Sequence, residues 1–419
     1  MLEKHVILIT LTSSGERDLE MERLSLSAGF ENALIIYNKK KNKINPAFYI
    51  GVGFVQEIKE YLDQFTSLYD ENYISAVVFN FGLSPIQQRN LEEAFNVDVI
   101  DRTQLILMIF KRNALTTEAR IQVEIAELEY LKTRLIDNKC NYSQVTSGGS
   151  AHNKGSGEKQ IELDRRKIRI LIQRKKGELE KVRIARKTSR NKRNASTLPL
   201  VAIVGYTNAG KSTLLNAFLT YSHHKDNKQV YADDYLFATL ETSARVIDTY
   251  RYPSFIMVDT VGFVKDLPIF LVDAFRSTLE EIKEADLIVH VVDSSSIFKD
   301  EEMKTTNEIL GQIGANDIPM IYLFNKYDLM KKEDIKLLDS SSIYCSVNDK
   351  NDIDNILSFI CSSFAKNWQK ANILLPFEEN LALFLKDNYV EKYLQTKEGY
   401  SLKAYLNPKT INKYSYLIK

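Results

Sequence analysis

The stretch Gly205-Tyr206-Thr207-Asn208-Ala209-Gly210-Lys211-Ser212 constrains this chain more than any other. It follows an apolar run at 200–204 and opens a helix-like run at 213–219, so it demands a strand, a tight turn and a helix in that order. Gly205 and Gly210 let backbone N–H groups converge where side chains would intrude. Converging N–H groups at a helix N-terminus select an anion, and this pattern selects the phosphates of a nucleotide. Lys211 supplies a charge to the β- and γ-phosphates and Ser212 a hydroxyl to Mg2+. Tyr206, Thr207, Asn208, Ala209 and Thr213 complete the expected cradle.

Two further motifs end apolar runs downstream. Asp259-Thr260-Val261-Gly262 closes the run at 255–258. A carboxylate there can hold Mg2+ through water, and the Gly262 N–H can reach a γ-phosphate, so the loop after it should respond to the triphosphate. Asn325-Lys326-Tyr327-Asp328 follows the run at 320–324. Asp328 can accept from guanine N1–H and the N2 amino group, donors that adenine does not present. Asn325 and Lys326 would brace that loop, and Ser346 with Val347 falls where a last base-contacting loop is expected. The chain is therefore expected to bind GTP and hydrolyse it to GDP, with Lys211, Thr239 and Gly262 as catalytic groups. The expected magnesium set is Ser212, Thr239 and Asp259; spacing alone leaves Thr242 and Thr249 competing with Thr239, which it favours. Phe263 stands where Ras-type enzymes place a water-orienting glutamine, so hydrolysis should be slow without a partner. Asn208 has two readings, a ligand to a K+ ion beside the phosphates or a brace for switch-loop backbone.

At 419 residues the chain should hold several domains. Residues 1–110 alternate strand-like runs at 6–10, 33–37, 76–80 and 97–100 with helical segments, one opened by a capping box at Ser84-Pro85-Ile86-Gln87. This predicts a small α/β domain. Over 101–137 one long helix is expected, with Ile121, Ile125, Leu128, Leu131 and Leu135 as its stripe. A flexible polar loop over 138–158 then leads to a second helix, with Ile161, Ile168, Leu171, Leu179 and Val182, and the two make an antiparallel hairpin at 111–195. Apolar runs at 200–204, 255–259, 287–292 and 320–324 predict a doubly wound, mostly parallel sheet over 196–370. The tail 371–419, with Tyr389, Tyr393, Tyr400 and Tyr405, should form a small α+β domain.

Net charge decides little, because 56 Lys and Arg meet 55 Asp and Glu. Local charge is different. From Arg165 through Arg166, Lys167, Arg169, Arg174, Lys175, Lys176, Lys181 and Arg183 to Arg193, the second hairpin helix is strongly basic, with Glu178 and Glu180 opposing. Such a segment suits an RNA backbone. Cys140, Cys345 and Cys361 have no paired spacing, which argues against disulfides and zinc and for a reducing compartment. No run approaches a membrane span, so a soluble, cytoplasmic monomer is expected.

These segments together resemble the HflX family of ribosome-associated GTPases over nearly the whole chain. The resemblance rests on Phe79-Asn80, Leu83-Ser84-Pro85 and Gln87-Gln88-Arg89-Asn90-Leu91, on Val99-Ile100-Asp101-Arg102-Thr103, and on Gly155-Ser156-Gly157-Glu158 with Asp164-Arg165-Arg166. It continues through the phosphate loop, Phe237-Ala238-Thr239-Leu240 and Asp259-Thr260-Val261-Gly262-Phe263. It implies an N-terminal α/β domain, a helical hairpin, a Ras-like G domain and a small C-terminal domain. It further implies Thr239 as magnesium ligand, binding to the large ribosomal subunit and its RNA through the hairpin at 161–193, and splitting or rescue of ribosomes under stress. The chain departs from the family pattern at Gly51-Val52-Gly53-Phe54, which lacks the usual lysine, at Ser156 and Lys159, and at Val347 where alanine is usual. Two other readings remain open: a nucleotide-gated RNA-binding assembly factor, and a G domain that regulates a protein partner while the basic run is merely solvated.

Overall fold

A computed structural model of the chain describes residues 5–10, 15–37, 44–68, 73–142, 154–194, 198–222, 243–249, 251–265, 267–268, 270–271, 279–330 and 339–417. They fall into two compact units. The first holds the chain up to Arg186 with the described residues of 267–271; the second holds the remainder.

In the first unit β1 (His5–Thr10), β2 (Asn32–Tyr37), β3 (Ile74–Phe79) and β4 (Asp98–Ile100) form a parallel sheet in the order β2-β1-β3-β4. β1 is buried throughout, as parallel strands covered on both faces must be. The helices of this layer are α1 (Gly15–Ala28), α2 (Val52–Leu68), α3 (Pro85–Phe95) and α4 (Arg102–Asn113). The capping box at α3 forms: Gln87 N donates to Ser84 Oγ and Ser84 N donates to Gln87 Oε1. The single long helix expected over 101–137 is instead two. Asp101 caps α4, whose Leu105, Ile106, Ile109 and Phe110 are buried, and Thr116 Oγ1 accepts from Ala119 N to start α5 (Thr117–Tyr142). A continuous helix would have to carry α4's buried side out of the core, so the chain breaks and restarts at residues 114–116.

α6 (Lys154–Asn194) is 41 residues, about 60 Å, long. Both hairpin helices therefore reach into the stretch expected as loop, which is helical at 138–142 and again at 154–158. The pair is antiparallel: Lys175 bonds Glu124 at 2.8 Å, and Ile121 and Ile125 cluster with Leu179 and Val182. The expected stripe needs correction. Leu131 and Leu171 are 49% and 43% exposed, and Ile172 is buried in place of Leu171. Steps of four, three, four and three from Ile168 reach 172, 175, 179 and 182, and residue 171 lies about 100° off that face.

In the second unit β5 (Leu200–Val204), β6 (Ser243–Ile247), β7 (Phe255–Asp259), β8 (Leu287–Asp293), β9 (Met320–Asn325) and β10 (Ser342–Tyr344) form one sheet, ordered β10-β9-β8-β5-β7-β6. Only β6 within this sheet runs antiparallel to its neighbour. β6 and β10 were not anticipated, because one is interrupted by Arg245 and the other is three residues long. α7 (Lys211–Tyr221), α8 (Lys299–Ile313) and α9 (Lys350–Ala365) flank the sheet. Val201, Ile203, Val289 and Val291 meet Leu215, Phe218, Ile356 and Ile360 on one face. The C-terminal ends of β5, β7 and β9 share one edge, where loops of parallel sheets collect ligands.

The tail forms an antiparallel sheet β11-β13-β12 from β11 (Gln369–Leu375), β12 (Tyr389–Gln395) and β13 (Tyr400–Leu406), with α10 (Leu381–Asp387) and the short α11 (Ile411–Tyr414). It has its own apolar cluster, including Ile373, Phe384, Leu402 and Tyr414. Trp368, Tyr389 and Tyr405 pack onto the larger sheet's core, and Lys386 Nζ lies 2.6 Å from Asp248 Oδ2. Tyr393 is exposed. Among the described residues no helix is long and apolar enough to cross a membrane.

Candidate nucleotide site

The turn after β5 depends on glycine at two crowded positions. Gly205 has φ +146°, and a Cβ there would stand 2.2 Å from Val291 O; at Gly210, φ +100°, it would meet Asn325 Nδ2 at the same distance. Asn208, at φ +61°, occupies the left-handed region that asparagine tolerates better than most residues. The chain then enters α7 with Lys211 buried and Ser212 half-buried at its first turn, Thr213 facing solvent. Lys211 Nζ donates to Tyr206 O at 2.6 Å. Burial pushes its ammonium down to about 8; Asp259 acts against that shift and Lys326 adds to it.

Ser212 Oγ donates to Asp259 Oδ2 at 2.8 Å, and Asp259 is fully buried at the end of β7. A hydroxyl and a carboxylate facing each other beside a phosphate-binding turn are hard oxygen donors, which fit Mg2+. Such an ion would neutralise phosphate charge. Of the competing threonines, Thr249 is spent elsewhere. Its hydroxyl donates to Tyr252 O and accepts from Tyr252 N, beyond the Phe255 end of β7 and away from Asp259. Thr239 and Thr242 lie outside the described residues.

Asn325 joins three loops with one amide. Its Nδ2 donates to Ala209 O at 2.9 Å, and its Oδ1 accepts from Val347 N at 3.0 Å. Lys326, at φ +61°, reaches back so that Nζ donates to Asn208 O at 2.8 Å and to Asp293 Oδ2 at 2.7 Å. Asp328 lies exposed in the turn Tyr327–Leu329. Ser346 is buried, its N–H donating to Asp352 Oδ2 at 2.8 Å. Asp293 and Asp352 escaped the sequence reading. The first had a signal, since it ends its apolar run as Asp259 ends another; the second is an ordinary acidic residue in the first turn of α9.

Phe263 is 2% exposed and is tied to the phosphate loop by a parallel bridge: its N–H donates to Gly205 O at 3.1 Å and its carbonyl accepts from Thr207 N at 2.8 Å. Lys265 N donates to Tyr206 Oη at 2.8 Å, extending this connection by one more bond. His290 on β8 offers no acid–base help, because burial, then the Lys211 charge, holds its imidazole down at about 3.

A phosphate loop, a buried carboxylate ending the adjacent strand and an Asn-Lys-x-Asp loop on one sheet edge define a Ras-like P-loop GTPase. Residues 200–326 match the family described as 50S ribosome-binding GTPase, residues 16–111 the GTP-binding GTPase N-terminal family, and residues 113–193 the GTP-binding GTPase Middle Region. The chain is 37% identical to GTPase HflX of Caldanaerobacter subterraneus over 408 residues, 96% of this chain and 91% of that protein. It is 37% identical to GTPase HflX of Escherichia coli over 78% of this chain and 74% of that one, and 40% identical to its Flavobacterium psychrophilum counterpart over 74% and 71%. This chain belongs to the HflX family and is a GTP- and GDP-binding GTPase. A solved GTP-binding protein of Sulfolobus solfataricus, in complex with GDP, aligns over 87% of this chain and 99% of its own at 22% identity and TM-score 0.46.

Proposed function

We propose that this GTPase works on the large ribosomal subunit, splitting or rescuing ribosomes under stress, and that its hydrolysis is slow until the ribosome stimulates it. The observation that carries the reading is Phe263: buried and bridged to the phosphate loop, it puts no polar group where a water-orienting glutamine would stand. The match of 200–326 to a 50S ribosome-binding GTPase family supports the same partner. In this reading the phosphate loop, Asp259, Gly262, the Asn325–Asp328 loop and Ser346 with Val347 hold the nucleotide, while Ser212, Asp259 and Thr239 hold Mg2+.

The hairpin's charge supports RNA contact more narrowly than its composition suggested. Lys167 pairs with Asp164, Arg174 with Glu178, Lys175 with Glu124 and Glu178, Lys176 with Glu129, and Arg183 with Glu180. Exposed Arg166, Arg169 and Lys181 have no carboxylate partner among the described residues, which leaves them available to RNA phosphates.

The test measures GTP turnover by the full chain with and without large subunits, with Lys211→Ala as control, in potassium and in sodium. We expect slow basal turnover, acceleration by large subunits, and salt-sensitive cosedimentation favoured by a GTP analogue over GDP. Fast turnover by the isolated chain refutes the slow-hydrolysis reading. Absence of cosedimentation at low salt refutes the ribosomal one. Cosedimentation without stimulated turnover selects the assembly-factor alternative. Faster turnover in potassium supports Asn208 as an ion ligand, and equal rates leave it a brace.

A further inference from the structure

The Phe263 bridge leaves hydrolysis without an evident group to orient water, yet one hydroxyl nearby has nothing to do. Thr207 is 8% exposed, and its Oγ1 is buried with no hydrogen-bond partner among the described residues. Buried hydroxyls are nearly always bonded, and an idle one beside a ligand site points to a ligand that satisfies it. Its backbone is fixed, because Thr207 N donates to Phe263 O at 2.8 Å.

Its neighbours are those expected at the γ-phosphate. A Cβ built on Gly262 would stand 2.8 Å from Thr207 Cγ2 and 3.0 Å from Lys211 Nζ. The Thr207 methyl group, the Gly262 backbone and the Lys211 ammonium are therefore close neighbours, and a side chain at 262 would collide with both. Lys211 brings charge and Gly262 an N–H; only Thr207 among the three brings an oxygen that can accept from water.

We propose that Thr207 is a further catalytic residue, its Oγ1 accepting a hydrogen bond from the attacking water. The proposal rests on GTP hydrolysis occurring at this site. The water oxygen forms a bond to the γ-phosphorus while the bond to the β–γ bridging oxygen breaks. GDP leaves with that electron pair, and the water's proton ends on the released phosphate. Thr207 neither gains nor loses a proton overall; it restricts the water's orientation.

Thr207→Val keeps the side chain's shape and removes the hydroxyl, whereas Thr207→Ser keeps the hydroxyl and removes the methyl group beside Gly262. Single-turnover hydrolysis by the full chain, without ribosomes, is measured alongside affinities for GDP and a non-hydrolysable GTP analogue. The valine variant should lose about tenfold or more in rate with its affinities unchanged, and the serine variant should hydrolyse like the parent. A parent-like rate in the valine variant overturns the proposal. Equal losses in both variants overturn it too, by assigning the effect to the methyl contact, as does an affinity loss that accounts for the rate. Thr207→Ala repeats the hydroxyl comparison without the bulk of valine. Because no ribosome is present, failure of the ribosomal reading leaves the result unaffected.

Discussion

Lys211 carries its charge in a place that opposes charge. Burial holds its ammonium at about 8, and a bound triphosphate supplies the compensating negative charge, so nucleotide binding should draw the value upward. The sign follows: below about pH 8 the free protein is already protonated and affinity is flat. Above it, binding requires uptake of one proton, and affinity should fall by up to about tenfold per pH unit. Titration of a fluorescent GDP analogue from pH 7 to 9 checks this, and a flat profile would contradict it. Asn325 shows a different economy at the same scale, where one amide ties the turn at 205–210 to the loop at Val347 and leaves neither of its ends unbonded.

Elements of the first unit are joined through Asp101. The residue that caps α4 also accepts from Tyr130 Oη and from Arg134, both on α5, while Arg134 Nη1 donates to Leu83 O at 2.7 Å ahead of α3. Burial, then the Asp101 charge, raises the Tyr130 phenol well above its ordinary value, so it stays a donor. Three helices thus share one buried carboxylate. Asp101→Ala should cost about 3 kcal/mol, because it strands a mostly buried guanidinium and frees two helix junctions. Far-UV circular dichroism during chemical denaturation reports that loss, and Trp368 fluorescence gives a separate reading of the second unit, where that tryptophan packs. An unchanged dichroism transition would show the network to be ornamental.

For the whole molecule, net charge near zero hides a long basic helix, part of whose charge is paired with its own carboxylates and with those of α5. If the remaining cations meet RNA, replacing Arg166, Arg169 and Lys181 together by alanine should weaken binding to large subunits. It should also lower the slope of log affinity against log salt by about 2–3, roughly one per lost phosphate contact. An unchanged slope would move the contact elsewhere on the chain.

How far the sequence reaches depends on the range over which each feature is decided. Sheet-forming runs, the capping box at Ser84 and the turn at 205–212 are local, and their covalent order fixes which loops follow which strands; the same motifs marked the chain's family. The α4–α5 break depends on which face of α4 the sheet covers, so periodicity over 101–137 could not show it. Ile172 displaces Leu171 because α5 lies along one face of α6, and that choice is made between helices. The partners of Lys175 and Lys326, Glu124 and Asp293, are 51 and 33 residues away. Likewise, Phe263 announced the missing glutamine from its position alone. That its backbone is bridged to the phosphate loop, with the Thr207 hydroxyl left unbonded beside it, was decided by tertiary structure, because hydrogen-bond satisfaction belongs to groups brought together in space.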